Sequence, residues 1–497
     1  MKKNFFHRIG AENAKVAKET DSIEKRCGPL RLSAAAVSVF WLVGCAVGPD
    51  YERPALNLPE SFKEAGDWKP ATPQDEQPRS EWWRAYGDPT LDALIVRLAV
   101  DNQTIKQAEA AYRQASAALD ATRAGFFPNL TANVGNSRGR GAAGGTTGTA
   151  ASSATGIRET DKLTLSSAWE IDVWGRIRRN VEAGDASAAA SAADLRAALL
   201  SAQATLTQSW FQRQTNARQR QLLESTVAAY RRSLGIVRNR FEAGTVGRAD
   251  VLQAESQLKS GEAQLAEIRL SGAQIEHAIA VLLGQPPAKL SLPEAAPRLP
   301  ALPALPSLLP ATLLERRPDI AAAERRVAAA NAQIGVGQAA FFPALTFSAA
   351  GGYQNASFTG LIAAPNRFWS FGPALALTLF DSGARSAQKA QATAGWEKTV
   401  AAYRQTVLTA FQEVEDNLAA LRWLGEMEAH QQAAAAAAKE AQRIVENQYD
   451  AGVVPYLNVL TAQTAAYTAE RALLDVQNRR LQASVALNKA LGGSWQP

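Results

Sequence analysis

The chain has 497 residues, 46% hydrophobic and 20% charged, with two cysteines, two methionines and a formal net charge of +6. Residues 1–44 hold eight of the 53 Lys+Arg and four of the 47 Asp+Glu, which leaves 45 basic against 43 acidic residues in the remainder. That length suits several ordinary domains, and the absence of a basic block after residue 44 excludes a face for nucleic acid or another polyanion.

The first element is a leader, residues 1–44, whose end reads "RLSAAAVSVFWLVGC". Its apolar run has signal-peptide rather than transmembrane length. Leu42-Val43-Gly44-Cys45 resembles the bacterial lipobox, in which the chain is cut before the cysteine and the thiol takes lipid. Ala46, not Asp, at the second mature position then implies sorting to the outer membrane. Cys27 leaves with the leader and Cys45 becomes the lipid anchor, so no disulfide is expected. One set of acyl groups tethers a chain without embedding it. An extended, lipidated N-terminal segment is expected over 45–89.

From residue 90 the chain reads as one unit written twice. "AGFFPNLT" (124–131) returns as "AAFFPALT" (339–346), 215 positions on. "RFEAGTVGRADVLQAE" (240–255) returns as "QYDAGVVPYLNVLTAQ" (448–463), 208 positions on. A Gly/Ala/Thr-rich insertion at 139–156 accounts for the seven-residue difference. Unit one, 90–284, is expected to run helix, β-hairpin (126–173), long helix (176–242) and helix (249–283). A connector at 285–317 contains eight prolines and reads as stiff and extended. Unit two, 318–497, repeats the order, with a hairpin at 341–380 and helices at 383–449 and 455–491.

No proline interrupts Asn129–Gln285 or Ala374–Val454. A continuous helix over 176–242 would run about 100 Å at ~1.5 Å per residue. Its distal part carries a heptad seam of Leu223, Val227, Tyr230, Leu234, Val237 and Phe241. The returning segment answers with Leu265, Ile268, Gly272, Ile275, Ile279 and Leu282. Such spacing predicts long helices paired antiparallel as a coiled coil.

The strands alternate. In "KLTLSSAWEIDV", Leu163, Leu165, Ser167, Trp169, Ile171 and Val173 share one face, while Lys162, Thr164, Glu170 and Asp172 share the other. Leu130, Ala132 and Val134 alternate with polar residues after the first corner, as do Leu345 and Phe347 after the second. Leu375, Leu377 and Leu379 complete the pattern. A soluble sandwich would alternate in the same way, but the outer-membrane address selects membrane strands, apolar outward and polar toward a lumen. Four strands cannot close a barrel, and open edges are forbidden in lipid. Two copies would give eight strands and a side-chain-filled interior; three give twelve and a passage. Phe126-Phe127-Pro128 and Phe341-Phe342-Pro343 are then membrane-interface corners, the aromatics forming a belt and the prolines ending the helices.

"CAVGPDYERP" (45–54), "WW" (82–83), "YGDPTLDALI" (86–95), the two corners, "WEIDVWGRIR" (169–178), "LLERRPDIAAAE" (313–324) and the terminal "ALGGSW" follow in order. Together they resemble the outer-membrane factor family, the TolC-like channels, in the OprM-like lipoprotein branch that serves resistance-nodulation-division efflux pumps. The resemblance implies an α+β membrane protein. Its homotrimeric 12-stranded transmembrane β-barrel would continue into a periplasmic α-helical coiled-coil barrel.

The implied function is passive export of drugs or other small amphiphiles, delivered by an inner-membrane pump through a periplasmic membrane-fusion adaptor. By the same resemblance the hairpin tips Ala243, Gly244, Val246, Ala451, Gly452 and Val454 meet the adaptor. Asp250, Leu457, Asn458 and Thr461 occupy the periplasmic gate. Three copies of Asp250 would form one anionic ring, and the second acidic position is absent, so weak cation block is expected.

No catalytic constellation, phosphate loop, cofactor site or metal cluster is legible. His277 and His430 are far apart, and the one mature methionine, Met427, argues against a copper or silver specialist. Two other readings share many of these features. A type I secretion exit duct would have the same fold, and a coiled-coil spacer lipoprotein with a soluble sandwich would not conduct.

Overall fold

The structure is a computed structural model that describes residues 46–55, 81–140, 157–293, 300, 302–303 and 317–493. The leader, Cys45, the 141–156 part of the insertion and most of the 285–317 connector lie outside the described residues. A 3-10 turn, Trp82–Tyr86, precedes helices α1 (Pro89–Asp101) and α2 (Gln103–Arg123). Strands β1 (Asn129–Arg140) and β2 (Ile157–Ile171) follow, then α3 (Arg176–Glu242) and α4 (Arg248–Leu282). After the connector come α5 (Pro318–Ala339), β3 (Ala344–Asn355), β4 (Arg367–Ala376), α6 (Ala384–Asp450) and α7 (Tyr456–Ala490).

α3 and α6 are each 67 residues long, and α4 and α7 are each 35. At ~1.5 Å per residue, α3 and α6 are about 100 Å long. Helices of this length bury only a narrow stripe. Leu223, Val227, Tyr230, Leu234 and Val237 are buried along α3, meeting Ala254 and Leu258 of the returning α4. Phe241, expected to close that seam, is 43% exposed. It sits in the last turn of α3, outside the buried seam that ends at Val237.

α3 also packs on α2, α5 and α7, and α6 on α5 and α7. Shorter helices therefore meet end to end alongside the long ones, and their terminal carbonyls need donors. At the first meeting point Asn102 Nδ2 donates to Leu282 O (2.7 Å), while its Oδ1 accepts from Ile105 N. Gly284 passes there at φ +67°, with Asp101 O only 2.1 Å from where a Cβ would lie. At the second, the buried Arg317 donates to Ala490 O at 3.2 Å.

Two expectations are corrected here. The helix before the first corner is broken at Asn102, because that side chain caps α2 and the end of α4 simultaneously. The segment 45–89 is not extended throughout. Trp82, Trp83 and Tyr86 coil into a buried turn against Leu91 and Phe211, because three aromatics within five residues gain most by burial together.

The four strands form one antiparallel sheet in the order β1-β2-β3-β4. Leu130 stands opposite Ser167, Leu163 opposite Tyr353, and Leu345 opposite Leu375. β1 is exposed along its whole length and β4 along nearly all of it, whereas β3 is largely half-buried. The apolar alternation was expected to run through Val173, but β2 ends at Ile171. Asp172 leaves the sheet to accept from the backbone of Ile177 (3.0 Å) and Arg178 (2.8 Å), capping α3.

Candidate functional site

Two regions collect the predicted site residues: the hairpin tips at one end of the long helices and the corners at the other. At the tips, α3 and α6 end in Ala243 and Ala451, both αR, followed by Gly244 (φ +73°) and Gly452 (φ +74°). A Cβ at either glycine would meet nothing within 4 Å, so the left-handed conformation alone calls for glycine. Val246 and Val454, also expected at the tips, are half-buried and pack against a cluster that includes Val237, Tyr449, Tyr456 and Val459. Val453, which the sequence did not single out, is 72% exposed.

The two tips are tied by Arg240. Its Nη2 donates to Tyr449 O (3.0 Å) and Asp450 O (3.3 Å), and its guanidinium lies 4.1 Å from the centre of the Tyr449 ring. A cation thus satisfies the terminal carbonyls of α6 where the helix dipole is negative. Tyr449 meets Tyr456 edge-on at 5.9 Å. Both hydroxyls are buried without a hydrogen-bond partner among the described residues. Burial, then Tyr449, Tyr230 and Asp250, push the Tyr456 phenol up to about 12.

Asp250 lies half-buried in the first turn of α4, close enough to this pair to bias both phenols against ionising. Asn458 occupies the same position, third residue, in α7. Leu457, Asn458 and Thr461 are all exposed, and Thr461 Oγ1 donates to Leu457 O at 2.9 Å. The structure therefore joins Asp250 to the tyrosine pair and leaves the three α7 residues on an open face. Beside Thr461 runs an open groove of about 660 Å³, walled by Gln257, Gln431, Thr464 and Thr468. Leu460, Ala465, Ala469 and Ala472 complete its lining, so uncharged amides and hydroxyls alternate there with small apolar side chains. Among the described residues no three His, Cys, Asp or Glu gather at metal-binding distance, and His277 and His430 are both exposed.

At the other end, the helix tightens into a 3-10 turn over Ala124–Phe126 before Pro128 opens β1. Two indoles pin the corners, a role that the sequence pattern did not signal. Trp169 Nε1 donates to Phe126 O (2.9 Å), and Trp174 Nε1 donates to Pro343 O (2.8 Å). Trp174 also stacks on Phe342 at 4.8 Å. Phe127 is 72% exposed, whereas Phe341 and Phe342 are 39% and 37% exposed.

The chain's N-terminal described stretch docks beside the second corner. Val47 N donates to Trp174 O at 3.0 Å, and Ala46 rests against Gly175. Arg179, whose side chain is 5% exposed, holds Gly48 O (3.2 Å), Asp50 (2.8 Å) and Glu182 (2.8 Å). Gly48, at φ +112°, passes so close to Gly335 that a Cβ would lie 2.4 Å from its Cα. The segment that leads from Cys45 is thus clamped between α3 and α5.

The model of the outer membrane efflux protein family matches residues 94–285 and again 309–493. The toluene efflux pump outer membrane protein TtgC of Pseudomonas putida is 30% identical over 472 residues, covering 93% of this chain and 96% of that protein. Outer membrane protein OprJ of Pseudomonas aeruginosa is 30% identical over 463 residues, covering 93% and 95%. The solved outer-membrane channel OprN superposes with a TM-score of 0.82 at 31% identity, covering 91% of this chain and all of that one.

Proposed function

This chain belongs to the outer membrane efflux protein family, and from that premise we propose that three copies assemble into one exit duct. It is an efflux channel protein of the bacterial outer membrane. Its similarity is to efflux channel proteins, not to enzymes. Four strands from each of three copies make a twelve-stranded barrel, and the long helices of the three copies continue it as a periplasmic coiled-coil duct.

The observation that carries this reading is the open sheet. β1 and β4 both present unpaired edges, and their outward residues Leu130, Val134, Trp369, Phe371 and Leu375 are 67–72% exposed. Lipid tolerates those side chains but not the bare backbone, so closure by further copies is required.

The family match falling twice on the chain, the equal helix lengths and the two Phe-Phe-Pro corners support a protomer built from one duplicated unit. Acylated Cys45 adds a tether beside the second corner, where Ala46 is held. No cofactor is needed, because the duct is passive and a resistance-nodulation-division transporter supplies the energy. The adaptor meets Ala243, Gly244, Val246, Ala451, Gly452 and Val454, with the exposed Val453 beside them. Asp250, Leu457, Asn458 and Thr461 line the gate, and the Arg240–Tyr449 tie holds it. The cargo is drugs or other small amphiphiles, in keeping with relatives named for toluene and antibiotic efflux.

Purified full-length protein should scatter light as a trimer and give unitary conductance steps in planar bilayers. A monodisperse monomer that stays silent in bilayers would overturn this reading.

A further inference from the structure

The order of the strands leaves open which residues of neighbouring copies face each other. We infer that β4 of one copy pairs antiparallel with β1 of the next in a single register, resting on the three-copy assembly proposed above. Leu375 then stands opposite Val134 of the next copy, Leu377 opposite Ala132, and Leu379 opposite Leu130.

The register follows from ladders within one chain. The corner motifs align β1 with β3 at a shift of 215 positions. Gly175 and Gly383, the left-handed residues that start α3 and α6, align β2 with β4 at a shift of 208. Applied to Leu130↔Ser167 of the β1–β2 ladder, these shifts yield Leu345↔Leu375, which is the pairing observed between β3 and β4. The duplication therefore transfers registers without slippage.

The same shifts applied to the β2–β3 ladder describe the seam between copies. Ser167↔Ala349 becomes Leu375 opposite Val134, Trp169↔Phe347 becomes Leu377 opposite Ala132, and Ile171↔Leu345 becomes Leu379 opposite Leu130. Each pair keeps apolar side chains on one face, as a lipid-facing seam requires.

Two features of the single chain fit this seam. β2 pairs through Ile171, but β4 stops at Ala376, three residues short of the equivalent Leu379. Beyond Ala376 the chain has run past the start of β3, and Pro343 in that place has no N–H to offer. Leu377, Leu379 and Phe380 are left 50%, 88% and 84% exposed. β1 of the next copy supplies the missing partner, so β4 lengthens on assembly. The register also sets Arg138 and Arg140 of the next copy opposite Phe371 and Trp369. These two stacked rings, 69% and 67% exposed for Trp369 and Phe371, present faces to a guanidinium.

Directly opposite residues in an antiparallel pair lie within the Cα separation a disulfide accepts, whereas a two-residue slip places them at its limit or beyond. The full-length double variant Val134→Cys/Leu375→Cys, oxidised in the outer membrane, should run as a covalent trimer on non-reducing gels. Its yield should exceed that of Ala132→Cys/Leu375→Cys or Asn136→Cys/Leu375→Cys by at least about tenfold. Ala132→Cys/Leu377→Cys, which samples the same register, covers the case where the first variant does not assemble. A native trimer that links only through the slipped pairs, or through neither matched pair, overturns the register and leaves the assembly standing. A wild-type monomer overturns both.

Discussion

Replacing Arg240 with alanine removes a side chain that donates from the first hairpin to the terminal carbonyls of α6. Three contacts are lost together: the hydrogen bonds at 3.0 and 3.3 Å, which one Nη2 shares between two carbonyls, and the stacking on Tyr449 at 4.1 Å. A charged donor's hydrogen bond contributes about 1.5 kcal/mol at a half-exposed site, and stacking there about 0.5 kcal/mol. A loss of about 2 kcal/mol in the tip-to-tip tie shifts its equilibrium roughly 30-fold toward separation. If the tie holds the gate, single-channel recording of Arg240→Ala in planar bilayers should show open probability raised toward that ratio. Arg240→Lys keeps the charge but not the planar fork, and should fall between the two. A variant that forms intact trimers yet opens no more often than the parent would show that this tie does not hold the gate.

Other consequences are open to direct measurement. Val237 is fully buried in the α3 seam, and truncating its neighbour Leu234, 5% exposed, to alanine should cost about 2–4 kcal/mol by thermal melts of helical circular dichroism. Phe241→Ala, at a 43% exposed position, should cost far less in the same melt. Burial opposes ionisation of Asp319, but the hydrogen bonds and charge of Arg317 outweigh it and hold the carboxyl below its ordinary value of 3.8. A depressed carboxyl stabilises the fold above the unfolded value, so this contribution should fade as pH falls below about 4. Melts of Asp319→Asn should show a smaller acid dependence than those of the parent. Finally, Asp250→Asn should weaken divalent-cation block of the current and Asn458→Asp should strengthen it. Equal block in all three proteins would remove the anionic ring from the account.

Much of the candidate site was legible because its signals are local. Pro128 and Pro343 end helices through their own missing N–H, and Gly244 and Gly452 mark turns through a backbone angle that side chains disfavour. Other contributors left no local trace. Arg179 and Arg240 look like any arginine on a polar helix face and Arg317 like the end of a connector, yet each is aimed at carbonyls or carboxylates brought in from distant segments. Trp169 was read only as a lipid-facing residue, but its indole finds Phe126 O from 43 positions away. Val246 and Val454 were placed at the tips by resemblance alone, and their packing onto the tyrosines beneath left no local signal.

What the sequence determined alone was the period of each element and the punctuation between them. Heptad spacing, strict alternation, proline and glycine act through the backbone of a few neighbouring residues, and no partner is needed to read them. The tertiary structure alone decided which orphan carbonyls meet which donors, where α1 and α2 part at Asn102, and how far each strand runs before its partner ends. Those outcomes depend on segments up to hundreds of positions apart arriving together. A buried polar group takes whichever donor the packing delivers, and an edge strand extends only as far as another backbone lies beside it.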